Sequence, residues 1–145
     1  MFKSHPQSEA RKRSAVILIK RLLVEKKPEV LPAHRRELLS VLLWKITEAE
    51  SPKCKTRFQS LRASRCSEKV KLRHDHIFQR SKMIAALEKA PANKIDGILK
   101  NAFGCTVTIK EHNRLCKFDK EYDGWARYRK ARIKVINTET GKRKI

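Results

Sequence analysis

Two short stretches carry the residues best suited to chemistry. In "RHDHI", Asp75 stands between His74 and His76; in "KEHNR", His112 precedes Asn113 and Arg114. Imidazoles and a carboxylate suit phosphodiester cleavage. A neutral imidazole can deprotonate a water, while a carboxylate and a second imidazole hold one divalent ion. That ion offsets charge on the pentavalent phosphate and on the leaving oxygen. The same residues also have plain structural uses. His74 and His76 can sit at a core edge, bonded to backbone carbonyls, and Asp75 can pair with Arg73 or Arg80.

Composition narrows the partner. The 145 residues include 36 Lys+Arg against 15 Asp+Glu, a formal charge of +21 and a pI near 10.3. Such a charge repels itself in the folded state and calls for a polyanion. Nucleic acid comes first, DNA before RNA, because each neutralised phosphate releases a counterion. An anionic membrane surface comes second. Only 6% of residues are aromatic, which argues against a base-stacking platform. No apolar run approaches the roughly 18 residues of a spanning helix, and no signal peptide stands out, so a cytoplasmic protein is expected. Cys54, Cys66, Cys105 and Cys116 then read as thiols; their spacings match no zinc knuckle, and structural zinc is not expected.

Several elements must position the chemistry. From Ser8, Ala15, Leu18, Ile19, Leu22 and Leu23 form the apolar stripe of a helix that Pro28 ends. Pro32 suits the first turn of a second, with Leu38, Leu39, Leu42, Leu43 and Ile46 on one side and Ser51-Pro52 closing it. The pair predicts an antiparallel hairpin, with Trp44 packed against it. Residues 53–69 are basic, rich in hydroxyls and without clear period, so they predict an extended or loop segment along a phosphate backbone. Residues 70–78 alternate, placing Val70, Leu72, His74, His76 and Phe78 on one strand face and Lys71, Arg73 and Asp75 on the other.

Ser81 can cap a helix stopped by Pro91, and Asn93 another, with Gly104 as its C-terminal signal. A short strand, "CTVT", follows. Thr108 and Glu111 then fit a capping box that opens a helix with His112 in its first turn, where the macrodipole disfavours a cation and a neutral ligand histidine is better placed. Asp123 can cap a last helix, whose Trp125 and Tyr128 share a core-facing side, and "IKVIN" predicts a terminal strand.

The fold class expected is α+β and mostly helical. A helical hairpin, residues 1–52, precedes a strand–insertion–strand–helix unit with a C-terminal helix and strand, residues 53–145. Within it, "HDHIFQRS" followed by "CTVTIKEHNRL" resembles a divergent HNH, or ββα-metal, nuclease motif across residues 70–118. The resemblance implies a metal-dependent endonuclease with Mg²⁺ or a similar ion. Asp75 and His112 match metal ligands, His74 is an additional one, and His76 matches the general base. Asn113 and Arg114 match the residues that follow the helix histidine. The family's middle Asn falls on Phe103 here, and Asn101 is the nearest substitute, so Asn101 and Asn113 are the orienting candidates. Arg57, Arg62, Arg65, Lys71, Arg73, Arg80 and Arg114 are the candidate nucleic-acid contacts. Two other readings share these residues: a basic nucleic-acid-binding protein without catalysis, and an interaction component of a nucleoprotein machine. Oligomeric state is left open by the sequence.

Overall fold

Long amphipathic runs broken by proline become the helical hairpin expected of them. The computed structural model describes residues 2–51 and 54–145, apart from the side chain of Val70. Helix α1 spans Ser8–Val24 and α2 spans Pro32–Glu48, with Pro32 in its first turn. Pro52, read above as closing α2, lies outside the described residues, as does the place of Val70 on its strand face. The stripes are narrower than their sequence. Ala15, Ile19, Leu39, Leu43 and Ile46 are buried, whereas Leu18 and Leu38 are exposed. The hairpin is covered on one side only, so a wide stripe loses its edges to solvent.

What covers it comes from the insertion between the two expected strands. Helices α3 (Arg80–Lys89) and α4 (Ala92–Leu99) add Met83, Ile84, Leu87, Ile95 and Leu99 to the hairpin's core. Full burial of each such aliphatic side chain contributes about 1.5–3 kcal/mol. The helix starts differ from expectation by two residues, and neither Ser81 nor Asn93 caps: Gln79 and Pro91 stand in extended conformation before α3 and α4.

The second layer is a four-stranded mixed sheet in the order β2-β3-β1-β4, formed by β1 (Phe58–Ser60), β2 (Leu72–His76), β3 (Gly104–Thr108) and β4 (Val135–Asn137). β2 and β3 are antiparallel, with Leu72 opposite Thr108, Asp75 opposite Cys105 and His76 opposite Gly104. β1 runs parallel to β3 and antiparallel to β4. β1 lies inside the stretch read as extended or loop. Its signal is alternation of small hydroxyls with one aromatic: Thr56, Phe58 and Ser60 are buried, Arg57 and Gln59 only partly. Thr56 and Thr106 tie β1 to β3 through their hydroxyls, 2.8 Å apart.

Helices α5 (Ile109–Cys116) and α6 (Gly124–Lys130) pack on the sheet, enclosing Ile77, Val107, Leu115, Tyr128, Ile133 and Val135. The α5 capping box forms as the sequence specifies: Thr108 Oγ1 accepts from the Glu111 N–H, and Glu111 Oε2 accepts from the Thr108 N–H. Asp123 precedes α6 but does not cap it; its Oδ1 accepts from the Gln79 N–H at 2.8 Å, joining the start of α3 to the start of α6. Gly124 follows with φ +57°, and a Cβ there would meet the Phe78 ring at 2.4 Å. Among the described residues, no helix is long and apolar enough to cross a membrane.

Candidate functional site at strand β2

Consecutive residues of a strand point to opposite sides, so β2 divides its own constellation. Asp75 faces the α5–α6 side. It is 4% exposed, and its Oδ2 accepts from both the Arg127 guanidinium and the Tyr128 hydroxyl. Arg127 is itself buried and also reaches the His76 carbonyl at 2.8 Å and Asp119 at 2.6 Å. Burial lowers the guanidinium's pKa, but Asp75, Asp119 and the Tyr128 phenol around it outweigh this and hold it above its ordinary value. Burial, helped by Cys105 and Asp75, pushes the Tyr128 phenol well up, so it stays a neutral donor.

The free side of the carboxylate meets His112. Oδ1 lies 3.3 Å from His112 Nδ1, a contact that the strand–insertion–strand–helix order creates by laying the first turn of α5 against β2. No hydrogen bond forms there: Nδ1 is buried without a hydrogen-bond partner among the described residues. Cys116, one turn further along α5, has its sulfur 3.8 Å from His112 Nε2.

The other face of β2 looks toward α2. His74 is buried, with Nε2 3.0 Å from Thr47 Oγ1. The His76 ring lies 4.9 Å from Trp44 and 5.3 Å from His74, centroid to centroid. Burial first, then the positive potential of His74, Arg80 and Arg127, lowers the His76 pKa from 6.5 to about 3. The imidazole is therefore neutral at physiological pH. Its Nε2 has no hydrogen-bond partner among the described residues. Trp44, read above as a hairpin residue, instead forms the wall of this histidine pair, with the Arg80 guanidinium 5.0 Å over its ring. Gly104, read above as a helix stop, opens β3 beneath His74. A Cβ there would meet the His74 ring at 2.4 Å, so only glycine lets that ring lie flat on the sheet.

The remaining nominated residues scatter. Asn101 and Asn113 are exposed, and among the described residues neither bonds to the histidines through its side chain. Arg57 pairs with Glu50 at 2.9 Å and Glu139 at 3.4 Å, and Lys71 with Glu68 at 2.7 Å. Arg73 donates to the Leu72 carbonyl, and Arg80 to the Ser40 hydroxyl. Arg62, Arg65 and Arg114 make no ion pair among the described residues. Sequence reasoning missed Arg127 and Tyr128, the two residues that fix Asp75. "GWARYRK" announced a helix with an inward Tyr128, but nothing in its spacing tells which carboxylate the arginine meets.

Among the described residues, no group of three or more His, Cys, Asp or Glu side chains is arranged to hold a metal ion. The four cysteines are free thiols, and burial pushes the Cys105 thiol well up. Two donors do converge, Asp75 Oδ1 and the unpartnered His112 Nδ1. This pair suits an ion of the Mg²⁺ type, which takes one or two protein ligands and fills its shell with water and phosphate oxygens. It does not suit an all-protein cage. Compared with protein families, curated proteins and solved structures, the chain finds no match in any of the three.

Proposed function

We propose that this chain is a nucleic-acid-binding phosphodiesterase of the ββα-metal kind, acting on DNA before RNA. Asp75 and His112 would hold a divalent ion, and His76 would serve as the base. The observation that carries the reading is the 3.3 Å approach of Asp75 Oδ1 to a buried histidine nitrogen that has no hydrogen-bond partner among the described residues. A buried polar atom left unpaired costs free energy, so its persistence favours a role in binding.

The bound ion supplies charge stabilisation at the phosphate. The protein's own residues do the rest. Arg127 and Tyr128 fix Asp75 Oδ2, turning Oδ1 toward His112 and keeping the carboxylate from swinging. His76 is a neutral imidazole whose Nε2 is buried without a hydrogen-bond partner among the described residues, on the face of β2 opposite Asp75, so its ring would have to turn out from Trp44 to accept a proton from water. Its low pKa makes it a weak base in the free protein; an approaching phosphate, being negative, raises that pKa toward the working range.

Nicking of supercoiled plasmid by purified protein tests this, with EDTA, Mg²⁺ or Mn²⁺ and beside His76→Ala and His112→Ala. Ion-dependent nicking, lost by about 10²-fold or more in His76→Ala, is the expected result. Binding without nicking under any ion removes the hydrolytic reading. A second reading, nucleic-acid binding without hydrolysis, is favoured by one observation: the Asp75 charge is already met by Arg127, which weakens its pull on an ion.

A further inference from the structure

Most cations nominated from the sequence are spent on the protein itself, as Arg57, Lys71 and Arg80 show. Three of the nominated cations, Arg62, Arg65 and Arg114, instead converge with Arg132 and Lys134, which were not nominated, on an open cleft of about 300 Å³. Arg62 and Arg65 flank the short 3-10 turn that follows β1, Arg114 comes from α5, and Arg132 and Lys134 come from the link between α6 and β4. Among the described residues, none of these five makes a side-chain ion pair or hydrogen bond. All but Arg114 are exposed, and Arg114 is half-buried.

The one carboxylate in the lining, Glu111, makes no ion pair with them among the described residues. Glu111 is 3% exposed, and its Oε2 is occupied by the Ser60 hydroxyl at 2.5 Å and by the N–H and hydroxyl of Thr108 at 3.0 and 3.1 Å. It serves the start of α5 and ties it to β1, leaving the arginines above it without a partner. The backbone here is also specific. Arg132 has φ +53°, a conformation that side chains with a Cβ rarely adopt, and it is held by its own N–H bonding to Arg129 O and by Ile133 N–H bonding to Tyr128 O. The sheet fixes the neighbouring wall, since Leu61 N–H donates to Lys134 O at 2.9 Å. Five like charges gathered on three fixed segments, offset only in part by the single Glu111 carboxylate, repel one another unless a further anion joins them.

We infer that this cleft is the phosphate-binding site of the protein, taking the phosphodiester backbone of a nucleic acid, with Arg132 and Lys134 as principal contacts beside Arg62, Arg65 and Arg114. The inference rests on the nucleic-acid part of the function proposed above and is independent of hydrolysis. Five cations over three segments outnumber what a single free phosphate can engage, and they suit successive phosphates along a strand. α5 links cleft and candidate site: Glu111 and Arg114 line the cleft, while His112, between them in sequence, turns to Asp75.

The test is binding of the full chain to a labelled mixed-sequence DNA duplex across a range of salt, using Arg132→Gly/Lys134→Ala. Glycine suits φ +53°, so this variant removes charge without straining the fold, and its thermal unfolding verifies that. The control is Arg13→Ala/Arg21→Ala on α1, which removes equal charge from cations that make no ion pair among the described residues. The cleft variant is expected to bind on the order of tenfold more weakly, with a log–log salt slope shallower by about 2, and the control to change by less than threefold. Equal losses in both variants would overturn the inference, since affinity would then follow diffuse charge. So would displacement of the DNA by inorganic phosphate at matched ionic strength, which would mark a small-anion site. Absent binding by the unaltered chain overturns it together with the nucleic-acid reading. Plasmid nicking that is absent while the cleft variant still loses binding removes hydrolysis alone.

Discussion

The two faces of β2 handle buried polar groups in opposite ways. On the α5–α6 face, one carboxylate collects a guanidinium and a phenol within a closed polar cluster. On the α2 face, two imidazoles pack against Trp44, burial keeps His76 neutral, and Gly104 leaves room for the His74 ring. The first face is held by charge and the second by exclusion of water. Between them they set the chemistry on offer: an anchored carboxylate oxygen on one side and an unprotonated ring on the other. Adjacent residues of one strand can thus have unrelated electrostatics, because the pleat sends them into different surroundings.

The comparison breaks most readily at Asp75. Asp75→Ala leaves Arg127 buried with Asp119 as its remaining carboxylate partner, so a loss of about 3–5 kcal/mol is expected in urea unfolding. A loss below about 1 kcal/mol would mean that the carboxylate does not anchor this face. On the opposite face the test is steric. Gly104→Ala drives a methyl into the His74 ring and is expected to cost about 1–3 kcal/mol in thermal unfolding, relieved when His74 is shortened to Ala in the same chain. Independence of the two substitutions would show that the ring does not lie where Gly104 receives it.

The mildest test concerns pH. The folded His76 pKa, about 3, lies below the 6.5 of the unfolded chain, so the unfolded state binds the proton first as pH falls. Its contribution to stability is complete above pH 6.5 and declines, by at most about 1.4 kcal/mol per pH unit, as pH drops toward 3. NMR of the His76 ring should show no protonation between pH 8 and 5, and His76→Gln should flatten the acid slope. A midpoint near 6.5 would show instead that the Trp44 face admits water.

Legibility in the sequence followed the range of the interaction. The hairpin, the α5 capping box, the strand at Leu72–His76 and its partner before α5 depend on neighbours within a few residues, and periodicity exposes them. β1 was hidden because three residues of mixed polarity carry too little pattern to stand out from a basic loop. The insertion helices were visible as helices, but their packing against the hairpin rather than the sheet depends on which apolar faces remain uncovered. At the site, the histidines and Asp75 were conspicuous by type. Arg127 and Tyr128 were not, since a partner 52 or 53 residues away leaves no local mark.

The sequence by itself determined the α+β class, the basic character, the helical hairpin and the capped start of α5, since local propensity, capping and net charge are properties of short segments or of composition. Only the tertiary structure decided which cations, among the described residues, make no ion pair, what each face of β2 packs against, and that Asp75 meets His112, Arg127 and Tyr128. Those outcomes depend on long-range packing, in which a charge takes whichever opposite charge or hydrogen-bond donor the fold brings within about 3 Å of it, at a sequence separation that no periodicity records.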